Sequence, residues 1–294
     1  MQTVGGQSDV GRLYRVAVKQ ARDAFGDEAA LDRQWRDLGY LARPDIAAAT
    51  AEYHYFLGLL EAASVETLCL PSDATVGLDS LYVRDASIVC EGGVILCNMA
   101  KPQRRTEPAA QEAAFRAAGI PIRGRITGDG TVEGGDVCWI DERTLAVGRG
   151  YRTNDAGIRQ LRDLVRDCVD EIVVVPLPHW HGPADVFHLM SMVSPVDRDL
   201  FLVYAPLMPV PFREALTSRA IELVEVADRE FATLGCNVLA LAPREVLMVA
   251  GNPETRARLE HAGVRVHEFA GREICLKGGG GPTCLTRPLT RGPG

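Results

Sequence analysis

The chain has 294 residues, a formal net charge of −7, 47% hydrophobic and 24% charged residues. That balance is ordinary for a globular enzyme, and the acidic charge without any Lys/Arg block excludes a nucleic-acid binder. No apolar stretch is long enough to span a bilayer, and the first residues lack the charged and apolar regions of a signal peptide. Eight cysteines with no C-x-x-C spacing read as buried, reduced thiols in a cytoplasmic protein, several of them (Cys90, Cys97, Cys138, Cys236, Cys275) in strand-like apolar runs.

Strands and helices alternate along the chain. Residues 45–62 have helical apolar spacing and lead into a strand over 65–70. Residues 87–97 read as two strands about Glu91-Gly92-Gly93, a hairpin signal. A helix over 108–118 ends at Gly119, and strands over 137–140 and 144–147 flank Asp141-Glu142-Arg143. A helix over 154–169 follows, with Asn154 or Asp155 as its N-cap. Strands at 172–175 and 201–204 precede a helix around 211–219. The rhythm then repeats: strands at 223–226, 238–242 and 246–249, a helix over 253–262 and a strand over 264–268. The unit is a strand pair, a helix and another strand, about 40–60 residues long. No linker divides the chain, so residues 1–294 are expected to form a single domain.

Four polar constellations stand out. In Asp79-Ser80-Leu81-Tyr82-Val83-Arg84-Asp85, strand alternation would place Asp79, Leu81, Val83 and Asp85 on one face. Two buried acids there require a cationic partner or ligand, while Arg84 points away into a structural ion pair. Glu133-Gly134-Gly135-Asp136 puts two acids around a turn before an apolar strand, either solvated or aimed into a site. Of six histidines, His188 lies in the strand-like apolar run 185–193, where a hydrogen-bonded core role competes with a catalytic one. His179-Trp180-His181 lacks a completing ligand set, so no metal is expected. Finally, Cys284 follows Gly278-Gly279-Gly280-Gly281-Pro282-Thr283, a loop flexible enough to turn sharply or approach a ligand closely. A thiol carried there is a candidate nucleophile.

Six motifs occur in the order found in guanidine-modifying enzymes: Tyr82-Val83-Arg84-Asp85, Asn98-Met99-Ala100-Lys101-Pro102-Gln103-Arg104, Glu133-Gly134-Gly135-Asp136, Arg152-Thr153-Asn154, Phe187-His188-Leu189 and Gly279-Gly280-Gly281-Pro282-Thr283-Cys284. From about Val65 to the C-terminus the chain resembles arginine deiminases, dimethylargininases and amidinotransferases. The resemblance implies an α/β fold, the five-bladed pentein propeller of ββαβ units, with no metal or organic cofactor. It implies Cys284 as nucleophile, His188 as general acid/base and Glu133 as its orienting carboxylate. Asp79 and Asp85 would grip the guanidinium, Arg104 and Arg152 would hold the substrate's α-carboxylate, and Asp136 would cap the Gly-Gly turn. The implied partner is a small guanidine, methylated arginine or arginine, and self-association stays open.

Within that family, Met190 stands where deiminases have an Asp, and Asp79 and Gly279 also look like the dimethylargininase pattern. Arg84 follows the deiminase pattern instead. A dimethylargininase-like hydrolase, making citrulline and an alkylamine, is the leading expectation. A deiminase or dihydrolase of unsubstituted arginine is the alternative, and a non-catalytic guanidine-binding protein the further one. If the resemblance holds, residues 5–44 include a lid; Phe25, Trp35 and Tyr40 there read equally as helix-packing residues.

Overall fold

The short apolar runs pair into five three-stranded sheets, described over residues 5–185 and 187–293 of a computed structural model. In the first sheet β1 (Leu13–Val18) is followed by α1 (Ala21–Phe25), α2 (Glu28–Gln34) and α3 (Ile46–Ala62), after which β2 (Glu66–Cys69) returns parallel to β1. The second sheet contains β3 (Ser87–Cys90) and β4 (Gly93–Leu96), then α4 (Glu107–Ala117) and β5 (Ile122–Arg125). The third contains β6 (Val137–Trp139), β7 (Thr144–Arg149), α5 (Asp155–Val165) and β8 (Glu171–Pro176). The fourth contains β9 (Val193–Asp197), β10 (Leu200–Val203), α6 (Val210–Thr217) and β11 (Glu222–Glu225). The short α7 (Asp228–Phe231) leads to the fifth: β12 (Leu239–Ala242), β13 (Glu245–Val249), α8 (Pro253–His261) and β14 (Arg265–Phe269). The last strand, β15 (Arg287–Arg291), pairs antiparallel with β1, so both ends of the chain share one sheet.

Every sheet therefore has the same make-up, an antiparallel pair plus a third strand parallel to the middle one. The parallel return needs a crossover, and the helix supplies it. Strands β3 and β4 are buried along their whole length, whereas α5 buries Gly157, Ile158, Leu161 and Val165 on one stripe. Gly119 ends α4 with φ of 70°, as its position predicts. The apolar core follows this division, each helix sealing its sheet. The largest cluster joins Phe25, Tyr53 and Phe56 to Phe269.

Two expected strands are absent where function was read. Residues 79–85 form a 3-10 turn, Leu78–Leu81, and a bend rather than a strand. Their amides bond locally (Ser80 to Gly77, Tyr82 to Asp79), and Arg104 takes the carbonyls of Asp79 and Tyr82, which leaves nothing for a ladder. Of the run 185–193, Val186 lies outside the described residues, and the rest forms the turn Leu189–Ser191 before β9 begins at Val193. The His188 amide bonds the Ser191 hydroxyl at 3.1 Å, a local alternative to a strand. Helix α5 stops at Val165, short of the expected 169, and Cys275 lies in a π-helical turn, Arg272–Leu276. All eight cysteines are free thiols, Cys69 exposed.

Candidate active site

A cavity of about 350 Å³ collects Asp79, Asp85, Arg152, His188 and Cys284 from segments far apart in sequence, with Arg104 and Lys101 on its wall. A larger open hollow of about 590 Å³, beside Gly6, Glu142 and Arg291, contains none of them. The site lies at the loops between sheets, where chain that is free of ladder bonds presents polar groups inward.

Glu133 is fully buried. Its Oε2 meets His188 Nε2 at 2.8 Å, and its Oε1 accepts the Ala100 amide at 3.1 Å. The turn that follows brings Gly135 against the imidazole. A Cβ on Gly135 would stand 2.6 Å from His188 Nδ1 and 2.7 Å from Asp85 Oδ1, so any side chain would push the two apart. Asp136 is structural, but it does not cap its own turn. Its oxygens accept the Leu189 amide at 3.0 Å and the Thr153 hydroxyl at 2.6 Å, which anchors the turn that carries His188. Burial raises the Asp136 pKa to about 6.

Burial alone would lower the His188 pKa. Asp85, Asp136 and the hydrogen-bonded Glu133 outweigh it and hold the imidazole at about 9, protonated at neutral pH. Asp85 is driven the other way: against the cost of burial, His188 and Arg104 lower its pKa to about 2. Its Oδ2 is bound by Arg104 at 2.6 Å, while Oδ1 is buried without a hydrogen-bond partner among the described residues, 3.9 Å from His188 Nδ1.

Besides the imidazolium of His188, each of the three carboxylates meets one lysine or arginine: Lys101 on Asp79 at 2.7 Å, Arg104 on Asp85, and Arg152 on Glu133 at 3.3 Å. Arg104 departs from expectation. It is almost fully buried, forks onto Glu107 at 2.8 Å twice, and donates to Asp85 and two carbonyls. With Nε and Nη2 taken by Glu107 and two carbonyls and Nη1 bound to Asp85, it positions Asp85 and presents no fork of two free donors to a carboxylate of substrate. Arg152 makes one ion pair and faces the cavity.

Cys284 is partly exposed to the cavity. Its Sγ accepts from Asn237 Nδ2 at 3.4 Å, and Asn237 Oδ1 in turn accepts the Thr283 amide at 3.1 Å. The glycine loop owes its composition to close approach: a Cβ on Gly280 would meet the Tyr82 ring at 2.5 Å. Burial and then Asp85 push the thiol up to about 11, partly offset by Asn237. The free site thus holds imidazolium and thiol.

Asp85, Glu133 and His188 bring ligand atoms within 4.8 Å of one another. A cation there would have to break the His188–Glu133 bond and sit beside Arg104 and Arg152, which disfavours it. His179 is spent on the Tyr151 hydroxyl at 2.6 Å, and His181 stacks on Trp180. From the N-terminal region Leu38, Gly39 and Leu41 reach the cavity, whereas Phe25 and Tyr40 pack in the core. Sequence reasoning missed Asn237, which follows Cys236 in no pattern, and Lys101, which stood inside a quoted motif three residues before Arg104.

Five ββαβ sheets closed by the pairing of first and last strands define the pentein fold of guanidine-modifying proteins. The arginine deiminase family model matches residues 79–211 and 208–291, and the chain belongs to that family. It is 30% identical over 248 residues to the N(G),N(G)-dimethylarginine dimethylaminohydrolase of Streptomyces coelicolor, covering 82% of this chain and 86% of that one. It is also 30% identical over 250 residues to the arginine deiminase of Rhodococcus opacus, covering 72% of this chain but 60% of that longer protein. Among solved structures, a dimethylarginine dimethylaminohydrolase from Pseudomonas aeruginosa, a cysteine-to-serine mutant complexed with citrulline, superposes with a TM-score of 0.74 at 22% identity, covering 94% and 98% of the two chains. The N-terminal domain of a cyanobacterial arginine dihydrolase superposes with 0.77 at 19% identity, covering 94% and 97%.

Proposed function

We propose that this protein hydrolyses the guanidinium group of a methylated arginine to citrulline and an alkylamine, with Cys284 as nucleophile. The observation that carries the reading is the unpartnered, buried Oδ1 of Asp85 beside the imidazolium of His188, in the cavity that Cys284 lines. An anionic acceptor kept open and desolvated favours a cationic donor, and a guanidinium supplies N–H groups of that kind. Met190 lines the same cavity as an apolar wall, which suits an N-methyl group better than a bare amine.

As the cation binds, it favours the thiolate and the thiol proton leaves to solvent. Sulfur attacks the guanidinium carbon to form a C–S bond. The His188 imidazolium gives its proton to the departing amine as the C–N bond breaks, leaving an S-alkylthiouronium. Neutral His188 then takes a proton from water, the oxygen adds to the same carbon, the C–S bond breaks to return the thiolate, and the O-protonated product gives its proton to solvent to leave neutral citrulline. Glu133 keeps the imidazole aimed throughout, and Arg152 is the cation left to meet a substrate carboxylate.

Incubation with arginine and with dimethylarginine tests the substrate, dimethylamine being expected in excess over ammonia. The Cys284→Ser protein should lose turnover and still bind the guanidine. Citrulline formed by that variant at the parental rate would remove Cys284 from the mechanism. Ammonia from arginine as the dominant product would favour the deiminase reading, with which Arg84 agrees in sequence.

A further inference from the structure

Lys101 is a charged residue of the cavity to which the mechanism gives no task. Its Nζ donates to Asp79 Oδ2 at 2.7 Å and to the Leu38 carbonyl at 2.9 Å. Leu38 belongs to the segment after α2 that reaches over the cavity. The backbone beside Lys101 is held by Glu133, through the Ala100 amide at 3.1 Å. One short stretch therefore contacts the His188 partner, one guanidinium-gripping acid and the covering segment.

The two gripping acids are occupied differently. Asp85 is paired with Arg104, which is immobilised by five hydrogen bonds, and it still has one oxygen free. Asp79 is paired with a single ammonium on a flexible four-carbon stem whose side chain is 13% exposed, against 3% for Arg104. An ammonium with a path to solvent can be exchanged, and the buried Arg104 fork cannot. A guanidinium that uses both oxygens of Asp79 needs the place that Lys101 occupies on Oδ2.

We propose that Lys101 is a specificity-determining residue, a built-in counterion that holds Asp79 in the free site and is displaced by the guanidinium of the substrate. A cation can replace the ammonium because it brings the same charge to Asp79. A neutral ureido product cannot, so after turnover Lys101 returns to Asp79 and to the Leu38 carbonyl, and the product is expelled. This inference rests on reading Asp79 and Asp85 as the guanidinium grip.

The probe is the guanidinium ion itself, which is too small to touch the covering segment. Its affinity is read as the guanidinium concentration at half-maximal change in the rate of Cys284 alkylation by iodoacetamide, in the parent, Lys101→Met, Lys101→Arg and the double variant Lys101→Met/Asp79→Asn. Removing the competing ammonium should tighten guanidinium binding in Lys101→Met by roughly tenfold, the worth of one charge-assisted hydrogen bond. Lys101→Arg keeps the cation and should restore parental affinity; the double variant should lose the gain. A residue that only braces the fold would give no gain of affinity on removal. Equal or weaker binding in Lys101→Met, with clear saturable binding in the parent, overturns the role of Lys101 alone. An alkylation rate unchanged by guanidinium in all four proteins overturns it together with the guanidinium reading of the cavity.

Discussion

His188 illustrates how neighbours decide the chemistry of a side chain. Three acids surround it, and their combined field exceeds the burial cost, so its proton is held up to about pH 9. The thiol titrates higher still, near 11. In the proposed mechanism the reacting form, imidazolium with thiolate, has one proton fewer than the free site at neutral pH. kcat/KM is therefore expected to climb with pH up to about 9, level off, and fall above about 11 as the second proton is lost. A profile flat between pH 6 and 8 would contradict this. Glu133→Gln removes one of the acids, so the rising limb should move to lower pH and the plateau should drop by about 100-fold or more. The same shift bears on stability. Since the folded pKa lies above the unfolded value of about 6.5, the contribution of His188 is complete below that value and is lost as pH rises through about 9.

At the scale of elements, the site depends on how a helix start is sewn to a turn. Asn154 caps α5 by accepting the Gly157 amide at 2.8 Å, and the same oxygen takes the Thr131 amide at 3.1 Å. Thr153 receives the Glu133 amide at 3.2 Å. The residues that begin α5 thus also set the strand entrance from which Glu133 projects. Asn154→Ala should cost about 1–2 kcal/mol of unfolding free energy in urea, a lost cap plus a lost turn bond. It should lower kcat more than it raises KM, because Glu133 is displaced while the guanidinium grip is untouched. The N-cap was readable from sequence because capping is local. The turn at 78–81 was not, because the period-2 alternation that indicated a strand was overruled by Arg104 taking the carbonyls a strand would need.

Across the whole molecule, one buried ionic group joins the sheets. Asp9 accepts from Arg84 at 2.8 Å and from the Trp139 amide at 2.8 Å, linking the N-terminal segment to the turn before β3 of the second sheet and to β6 of the third. Arg291, on β15, donates to the Gly11 and Ala240 carbonyls, which adds the first and fifth. Arg84 thus has the structural ion pair expected of it and keeps Nε and Nη1 without protein partners. Asp9→Ala would strand buried guanidinium groups without a counter-charge, and a loss of about 3–5 kcal/mol is expected by denaturant unfolding. Replacing both partners, Asp9→Leu with Arg84→Met, should recover most of it. A single variant as stable as the parent would show that solvent reaches this group.

Local rules were legible in the chain alone: the strand-helix rhythm and the helix caps depend on residues within a few positions of one another and survive without knowledge of the partner. The class of fold came from the resemblance that the ordered motifs carry. Tertiary structure decided which charge meets which. Asp9 and Arg84 lie 75 residues apart and Glu133 and His188 55, and nothing in their spacing assigns the pairs. The same holds for Asp79 and Asp85, the two acids proposed to grip a guanidinium. Their acids were legible as buried charges requiring cations, but that Arg104 would be consumed by Asp85 and Glu107, and that Lys101 would take Asp79, depended on where the fold removed water. A buried charge pairs with whatever opposite charge the packing brings within hydrogen-bond reach, and only the folded chain defines that reach.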